Sequence, residues 1–118
     1  MPRFTILRHD NPQGLHWDLL LETGPVLKTW ALPQPPEPGA EMIATALPDH
    51  RPLYLDYQGP ISQGRGTVSR WDRGTWQGQL DSSGQWSIDL AGERFCGRAS
   101  FQAVPGQAGA WQVCFTDS

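Results

Sequence analysis

The sequence predicts an all-β fold, a single compact, closed or nearly closed antiparallel β-barrel of about eight strands, and three observations carry the prediction. Apolar residues recur at every second position in segment after segment, the period of a strand with one buried face. Thirteen Gly and eleven Pro in 118 residues cut the chain into short pieces, which suits strands and tight turns rather than long helices. Helical periodicity is nowhere sustained beyond about two turns, and there is no internal repeat. Roughly eight to ten short strands at this spacing close into a barrel, with a two-sheet sandwich as the alternative.

Each element has a local reason. Residues 3–8 form a short strand. In residues 15–22, Leu15, Trp17, Leu19 and Leu21 point one way and His16, Asp18, Leu20 and Glu22 the other, by the alternation of an extended chain. Thr23-Gly24-Pro25 is a hairpin turn into a strand at 26–32. Residues 33–39 carry four prolines and form a stiff loop too short to link domains. Residues 42–47 and 53–57 are the next apolar strands, with His50 between them. Residues 67–72 and 75–80 are two strands separated by Arg73-Gly74. Asp81-Ser82-Ser83-Gly84 turns into a strand at 85–90, and 94–104 and 111–115 complete the set.

Bulk composition sets the class. A 38 % hydrophobic fraction, six Trp and 18 % charged residues describe a folded chain, and the length suits one domain over residues 1–118. No apolar run approaches the roughly 20 residues that span a bilayer. The opening Met1-Pro2-Arg3-Phe4 has no signal-peptide layout, so a cytoplasmic location and no membrane partner are expected. Cys96 and Cys114 lack a CxxC spacing, which excludes a zinc-finger or thioredoxin-like site; reduced, mostly buried thiols are expected. The net charge of −3 argues against non-specific, phosphate-driven nucleic-acid binding. The basic residues are nonetheless eight Arg and one Lys, and Arg makes the better bidentate phosphate contact.

All three histidines fall in two segments: Arg8-His9-Asp10-Asn11-Pro12-Gln13-Gly14-Leu15-His16-Trp17-Asp18, and Asp49-His50-Arg51-Pro52-Leu53-Tyr54. His16 and Asp18 are two apart on a strand, so both leave one face about 7 Å apart. An imidazole and a carboxylate so placed converge on one cation, and the 11–14 turn can bring His9 alongside. Ligands of the N, N, O type leave coordination positions open, as in a catalytic metal site, and suit Mn²⁺ or Zn²⁺ better than Mg²⁺. The competing reading is a half-exposed His-x-Asp of no chemical role. His50 and Tyr54, four apart, share a face if extended and can act as acid and hydrogen-bond donor to a phosphate; the alternative is a turn His beside a core Tyr. The tryptophans can stack bases, but most occupy strand positions that should face the core.

Taken in order, Arg8-His9, Leu15-His16-Trp17-Asp18, Leu27-Lys28-Thr29-Trp30-Ala31-Leu32-Pro33, Asp49-His50 through Tyr54, Asp56-Tyr57-Gln58-Gly59 and Val68-Ser69-Arg70-Trp71-Asp72-Arg73-Gly74-Thr75-Trp76 make a pattern. It resembles the 3′-phosphoesterase domain of bacterial DNA ligase D over nearly the whole chain, through Gly92-Glu93-Arg94-Phe95-Cys96-Gly97. The resemblance implies a β-barrel with a crescent-shaped active face. It implies removal of 3′-ribonucleotides and 3′-phosphates from DNA or RNA-DNA primer 3′ ends with Mn²⁺, in repair of double-strand breaks by non-homologous end joining, and ligase or polymerase repair proteins as partners. By the same resemblance His9, His16 and Asp18 are metal ligands, and His50 and Tyr54 engage the phosphate.

The departures concern charge. Where the family carries basic residues that bind phosphate, this chain has Leu20, Gln34 and Met42; where it has Gln and Glu, this chain has Leu7 and Pro48. The spacing between the first two histidines is one residue longer than the family's. Loss of a guanidinium from a phosphoryl-transfer site removes stabilisation on the order of 10²–10³ in rate per donor. Replacement by Leu20 and Met42 makes that wall apolar, and Arg8, Arg51 and Arg65 are the candidates to compensate. Two functions follow: a divalent-metal-dependent 3′-phosphoesterase (a hydrolase), or a catalytically impaired metal-binding barrel that recognises a DNA end or a repair protein.

Overall fold

A computed structural model describes residues 1–117. Its strands are β1 (Arg3–Asn11), β2 (Gly14–Thr23), β3 (Val26–Leu32), β4 (Glu41–His50), β5 (Gly59–Pro60), β6 (Thr67–Gly78), β7 (Gln85–Gly92), β8 (Cys96–Ala103) and β9 (Ala110–Asp117), with one 3-10 helix at Pro52–Leu55. Every pairing is antiparallel, in the order β1-β2-β3-β4-β9-β8-β7-β6, and β6 returns to β1, so eight strands close a ring with β5 paired outside it to β6. Closure removes the free edges that an open sheet would present. The all-β prediction holds, and among the described residues no helix is long and apolar enough to cross a membrane.

The strands bury two separate apolar clusters. The larger takes residues from all eight ring strands, including Phe4, Ile6, Leu19, Leu21, Ile88, Phe101 and Phe115. All six tryptophans pack on it, Trp30, Trp76 and Trp86 buried and Trp17, Trp71 and Trp111 at its margin, so their role is packing. The smaller cluster, Leu7, Leu20, Leu27, Leu55 and Val68, takes the opposite faces of β1, β2, β3 and β6 and is covered by Tyr54, Tyr57 and Ile61. Four adjacent strands are therefore buried on both sides, and the segment from the 3-10 helix to Ile61 lies over the outer side of the ring.

Several sequence expectations are corrected. Residues 53–57 are not a strand: Pro52 opens the 3-10 helix at its first turn, where its missing N–H costs nothing, and Leu55 turns into the smaller cluster. The strands expected at 67–72 and 75–80 are one twelve-residue strand, Thr67–Gly78, which ends two residues earlier than expected. Gly74 does not break it, because it pairs with Phe4 on one side and Gly92 on the other; a Cβ there would lie 1.9 Å from the Ala91 carbonyl oxygen, so glycine permits the close crossing. A bulge shifts the β1–β6 register between Ile6 and Leu7. Both cysteines are free as expected, but Cys96 is exposed and Cys114 half-buried, since Cys114 alternates with the buried Val113 and Phe115.

Asp72 ties this part of the ring together. It is 2 % exposed, and its Oδ1 accepts from the backbone N–H groups of Arg73, Glu93 and Arg94 at 2.8, 2.8 and 2.9 Å, while Oδ2 accepts from that of Phe95 at 2.9 Å. One buried carboxylate thus satisfies the turn between β7 and β8.

Candidate metal centre and phosphate cleft

The hairpin β1–β2 builds the centre of the site. Its register pairs Asn11 with Gly14 across a two-residue tip, which sets His9 directly opposite His16 and Asp18 opposite Leu7. Directly opposed residues share a face, and here it is the outer face carrying the smaller cluster. The chain between the two histidines reverses at the tip, where the Asn11 side chain accepts from the Gln13 N–H at 2.8 Å and Gly14 takes φ 140°.

The three side chains meet. His9 Nδ1 lies 3.2 Å from His16 Nε2 and 3.3 Å from Asp18 Oδ2, and His16 Nε2 lies 2.9 Å from Asp18 Oδ1. One ligand atom from each lies within 4.8 Å of the others. Asp18 is 4 % exposed, and its Oδ1 is buried without a properly angled hydrogen-bond donor despite the near imidazole. A buried carboxylate oxygen with no donor is costly, and a cation held between it and two imidazole nitrogens would resolve the cost. The donor set N, N, O therefore fits a divalent transition metal. In the cation-free protein, the Asp18 carboxylate at hydrogen-bonding distance raises the His16 pKa from its ordinary 6.5, against the opposing effect of burial.

The free nitrogens are also held. His9 Nε2 donates to the Arg65 carbonyl oxygen at 2.7 Å, which leaves Nδ1 as the lone-pair nitrogen facing Asp18; such an outer hydrogen bond orients a metal-binding imidazole. The Arg65 carbonyl gets there because the 62–66 loop presses on β1. Gly66, with φ 88°, has no Cβ to meet the Asp10 carbonyl oxygen, which would stand 2.0 Å away.

The second segment arrives from β4 and the 3-10 helix. His50 ends β4 opposite Leu27 rather than sitting in a free turn. Its Nδ1 lies 2.9 Å from the Pro48 carbonyl oxygen and 3.1 Å from Thr29 Oγ1. Thr29 Oγ1 donates its proton to the Leu27 carbonyl at 3.0 Å, so it can only accept from His50, and the network places the proton of neutral His50 on Nδ1. Nε2 is left without a protein hydrogen bond among the described residues. The Tyr54 ring packs edge-on against His50, centroids 5.6 Å apart. The expected pairing of His50 with Tyr54 is present, although a 3-10 turn and not an extended strand produces it.

One cleft of about 60 Å³ joins the two segments: His9 and Asp18 line it together with His50, Tyr54 and Arg65, over an apolar floor of Leu7, Ile61 and Val68. Of the three candidate replacement arginines, Arg65 alone lines it, its guanidinium hydrogen-bonded to Ser62 at 3.0 and 3.2 Å. Neither replacement lines the cleft, which corrects the expectation of an apolar wall there: Leu20 is fully buried in the smaller cluster with Leu7 and Val68, and Met42 faces the ring interior at 6 % exposure. Sequence reasoning passed over Thr29 and the Arg65 carbonyl; the Lys28-Thr29-Trp30 run held the first in view, while a backbone oxygen leaves no signal in a sequence.

Comparison with known proteins identifies the family. Residues 7–102 match the family described as DNA Ligase D 3′-phosphoesterase domain. The chain is 37 % identical over 106 residues to the multifunctional non-homologous end joining protein LigD of Pseudomonas aeruginosa, covering 81 % of this chain and 12 % of that protein. It is 31 % identical over 121 residues to the protein of the same name in Mycolicibacterium smegmatis, covering 89 % of this chain and 16 % of that one. A Mycobacterium tuberculosis multifunctional non-homologous end joining DNA repair protein LigD is 28 % identical over 102 residues, 79 % of this chain and 13 % of its own. The chain thus spans a small part of the length of these relatives. With its closed ring of strands and its matched residues 7–102, the chain belongs to the DNA Ligase D 3′-phosphoesterase domain family.

Proposed function

We propose that the protein is a divalent-metal-dependent 3′-phosphoesterase that processes DNA ends in strand-break repair, acting in the cytoplasm on primer 3′ ends that carry a ribonucleotide or a phosphate. One observation carries the reading: His9 and Asp18, two of the three clustered candidate ligands, line the same small cleft as His50 and Tyr54, which supports a metal and a phosphate sharing that cleft. Family membership and the relatives named for non-homologous end joining support it.

His9 Nδ1, His16 Nε2 and an Asp18 oxygen would hold the cation, Mn²⁺ ahead of Zn²⁺. When bound, such an ion polarises a phosphoryl oxygen and acidifies water. The protein's own groups do the rest. The Tyr54 hydroxyl donates to a non-bridging phosphate oxygen and orients it. A water oxygen forms the new bond to phosphorus while the bond to the leaving oxygen breaks. In its doubly protonated form His50 delivers the Nε2 proton to that leaving oxygen, and the proton lost by water restores the imidazolium. Arg65 supplies the cationic wall that Leu20 withholds.

The second reading, a metal-binding barrel that recognises a DNA end or a repair protein without cleaving, draws on Leu20 and on the tethering of Arg65 to Ser62. The test is incubation of the protein, with a His16→Ala control, with Mn²⁺ and a labelled primer-template ending in a 3′-ribonucleotide or 3′-phosphate. Shortening or dephosphorylation by the native protein alone supports the enzyme. Mn²⁺ binding lost in the variant, with no turnover by either, leaves the second reading.

A further inference from the structure

The cleft is not the only space against His9. A cavity of about 360 Å³ opens between the hairpin tip, residues 11–13, and the loop of residues 63–65, and the His9 ring lines both spaces, as does Arg65. The two differ in kind. The small cleft is walled by groups that suit one phosphate. The larger lies near the lower end of the roughly 300–1,000 Å³ of small-ligand pockets, room for one nucleoside and not for a strand.

Its lining is mostly apolar with a few polar side chains set into it, the usual make-up of a small-ligand pocket. Gln13 and Gln63 bring side-chain amides and Arg65 a guanidinium, groups that pair with the donor and acceptor edges of bases and with ribose hydroxyls. The tip is braced by the Asn11 side chain on the Gln13 N–H. The facing loop holds Gln63 at φ 65°, a left-handed conformation in a non-glycine residue, beside Gly64 at φ 68°. Such a conformation is uncommon outside glycine and persists where the surroundings fix it. Neither glutamine has a part in the metal centre or the cleft.

We propose that this cavity houses the terminal nucleoside of a 3′ end whose last phosphate occupies the cleft, so that Gln13, Gln63 and Arg65 form a leaving-nucleoside subsite. The inference rests on the phosphoesterase reading of the neighbouring site. In diester hydrolysis there, water adds to phosphorus, the bond from phosphorus to the nucleoside's O5′ breaks, O5′ takes a proton, and the strand keeps a 3′-phosphate. A strand that already ends in a 3′-phosphate has no nucleoside to place, so its hydrolysis leaves the cavity unused.

That difference gives the test. Gln13→Trp, at the exposed tip, fills the cavity without touching the cleft. Full-length native and variant proteins are assayed with Mn²⁺ on two primer-templates, one ending in a 3′-ribonucleotide and one in a 3′-phosphate. The expected result is loss of nucleoside removal by roughly a hundredfold or more, the scale of misplacing a reacting group, with phosphate removal unchanged. Gln63→Gly deletes one amide while keeping a backbone that glycine adopts readily. It should weaken binding of the ribonucleotide-ended primer about three- to tenfold in EDTA, measured by fluorescence anisotropy, and leave binding of the phosphate-ended primer as it was. Equal loss on both substrates in Gln13→Trp assigns the cavity to the retained strand and overturns the proposal, as does no loss on either. A native protein inactive on both substrates overturns the phosphoesterase reading itself and the subsite with it.

Discussion

His9 Nε2 donates a 2.7 Å hydrogen bond to the carbonyl oxygen of Arg65, 56 residues along the chain. This bond fixes the imidazole so that Nδ1 faces His16 and Asp18, and it exists because Gly66 lets the loop lie against β1. Gly66→Ala puts a methyl group where the Asp10 carbonyl oxygen stands, so the loop must move away from His9. Outer hydrogen bonds of this type are worth about 10–100-fold in metal affinity. Isothermal titration with Mn²⁺ should show a loss of that size in Gly66→Ala, and an unchanged affinity would deny the Arg65 carbonyl its orienting role.

Thr29 stands behind His50 as Arg65 stands behind His9. With its own proton on the Leu27 carbonyl, Thr29 Oγ1 accepts from His50 Nδ1 beside the Pro48 carbonyl oxygen and helps hold the ring with Nε2 as the working nitrogen. Thr29→Val should leave Mn²⁺ affinity alone and lower kcat roughly tenfold, a part of the 10²–10⁴ that a placed acid–base group contributes. Nitrogen-15 spectra of His50 should still show the proton on Nδ1, held by the Pro48 carbonyl oxygen, so that the loss in kcat reports ring orientation rather than a change of tautomer.

The His16–Asp18 contact has a consequence for pH in the cation-free protein. Asp18 raises the His16 pKa above 6.5, so the folded state binds this proton more tightly than the unfolded chain. The resulting stabilisation is fully present below pH 6.5 and is lost as pH rises through the raised folded-state value. Proton NMR titration without divalent ions should find His16 titrating above 6.5. In Asp18→Asn the midpoint should fall, and with it the stability gained on acidification.

Asp72 predicts a purely structural defect. Asp72→Asn keeps one acceptor oxygen for backbone donors that four N–H groups now share. The cost is about 3 kcal/mol, from charge-assisted bonds lost and buried donors left unmatched, or roughly 10–15 °C in Tm for a domain of this size. Because the carboxylate faces the turn between β7 and β8, Mn²⁺ affinity should survive unaltered below the new Tm. Calorimetry with a metal titration checks both halves; a metal-binding defect without a fall in Tm would contradict the assignment.

Much of this protein is legible in its sequence. The period-two pattern gave the strands, and the same parity put His16, Asp18 and Leu20 on the face opposite Leu19 and Leu21, because alternation is a property of the extended backbone itself. The candidate site residues His9, His16, Asp18, His50 and Tyr54 were likewise legible, since few residue types can ligate a metal or donate to a phosphate and all five sit in two short segments.

What the tertiary structure decided is what depends on distance between remote segments. Local pattern could not show that residues 52–55 coil because Leu55 must reach a second apolar cluster, nor that Met42 turns into the ring while Leu20 joins that second cluster. It could not choose Arg65 over Arg8 and Arg51, because that choice follows from a loop pressed onto β1 through the absence of one Cβ. Nor could it reveal the cavity shared by the hairpin tip and that loop. Residue chemistry and strand parity act over two or three positions and are written in order along the chain, whereas closure of the ring brings His9, Arg65 and His50 together across tens of residues, and only packing fixes which of them meet.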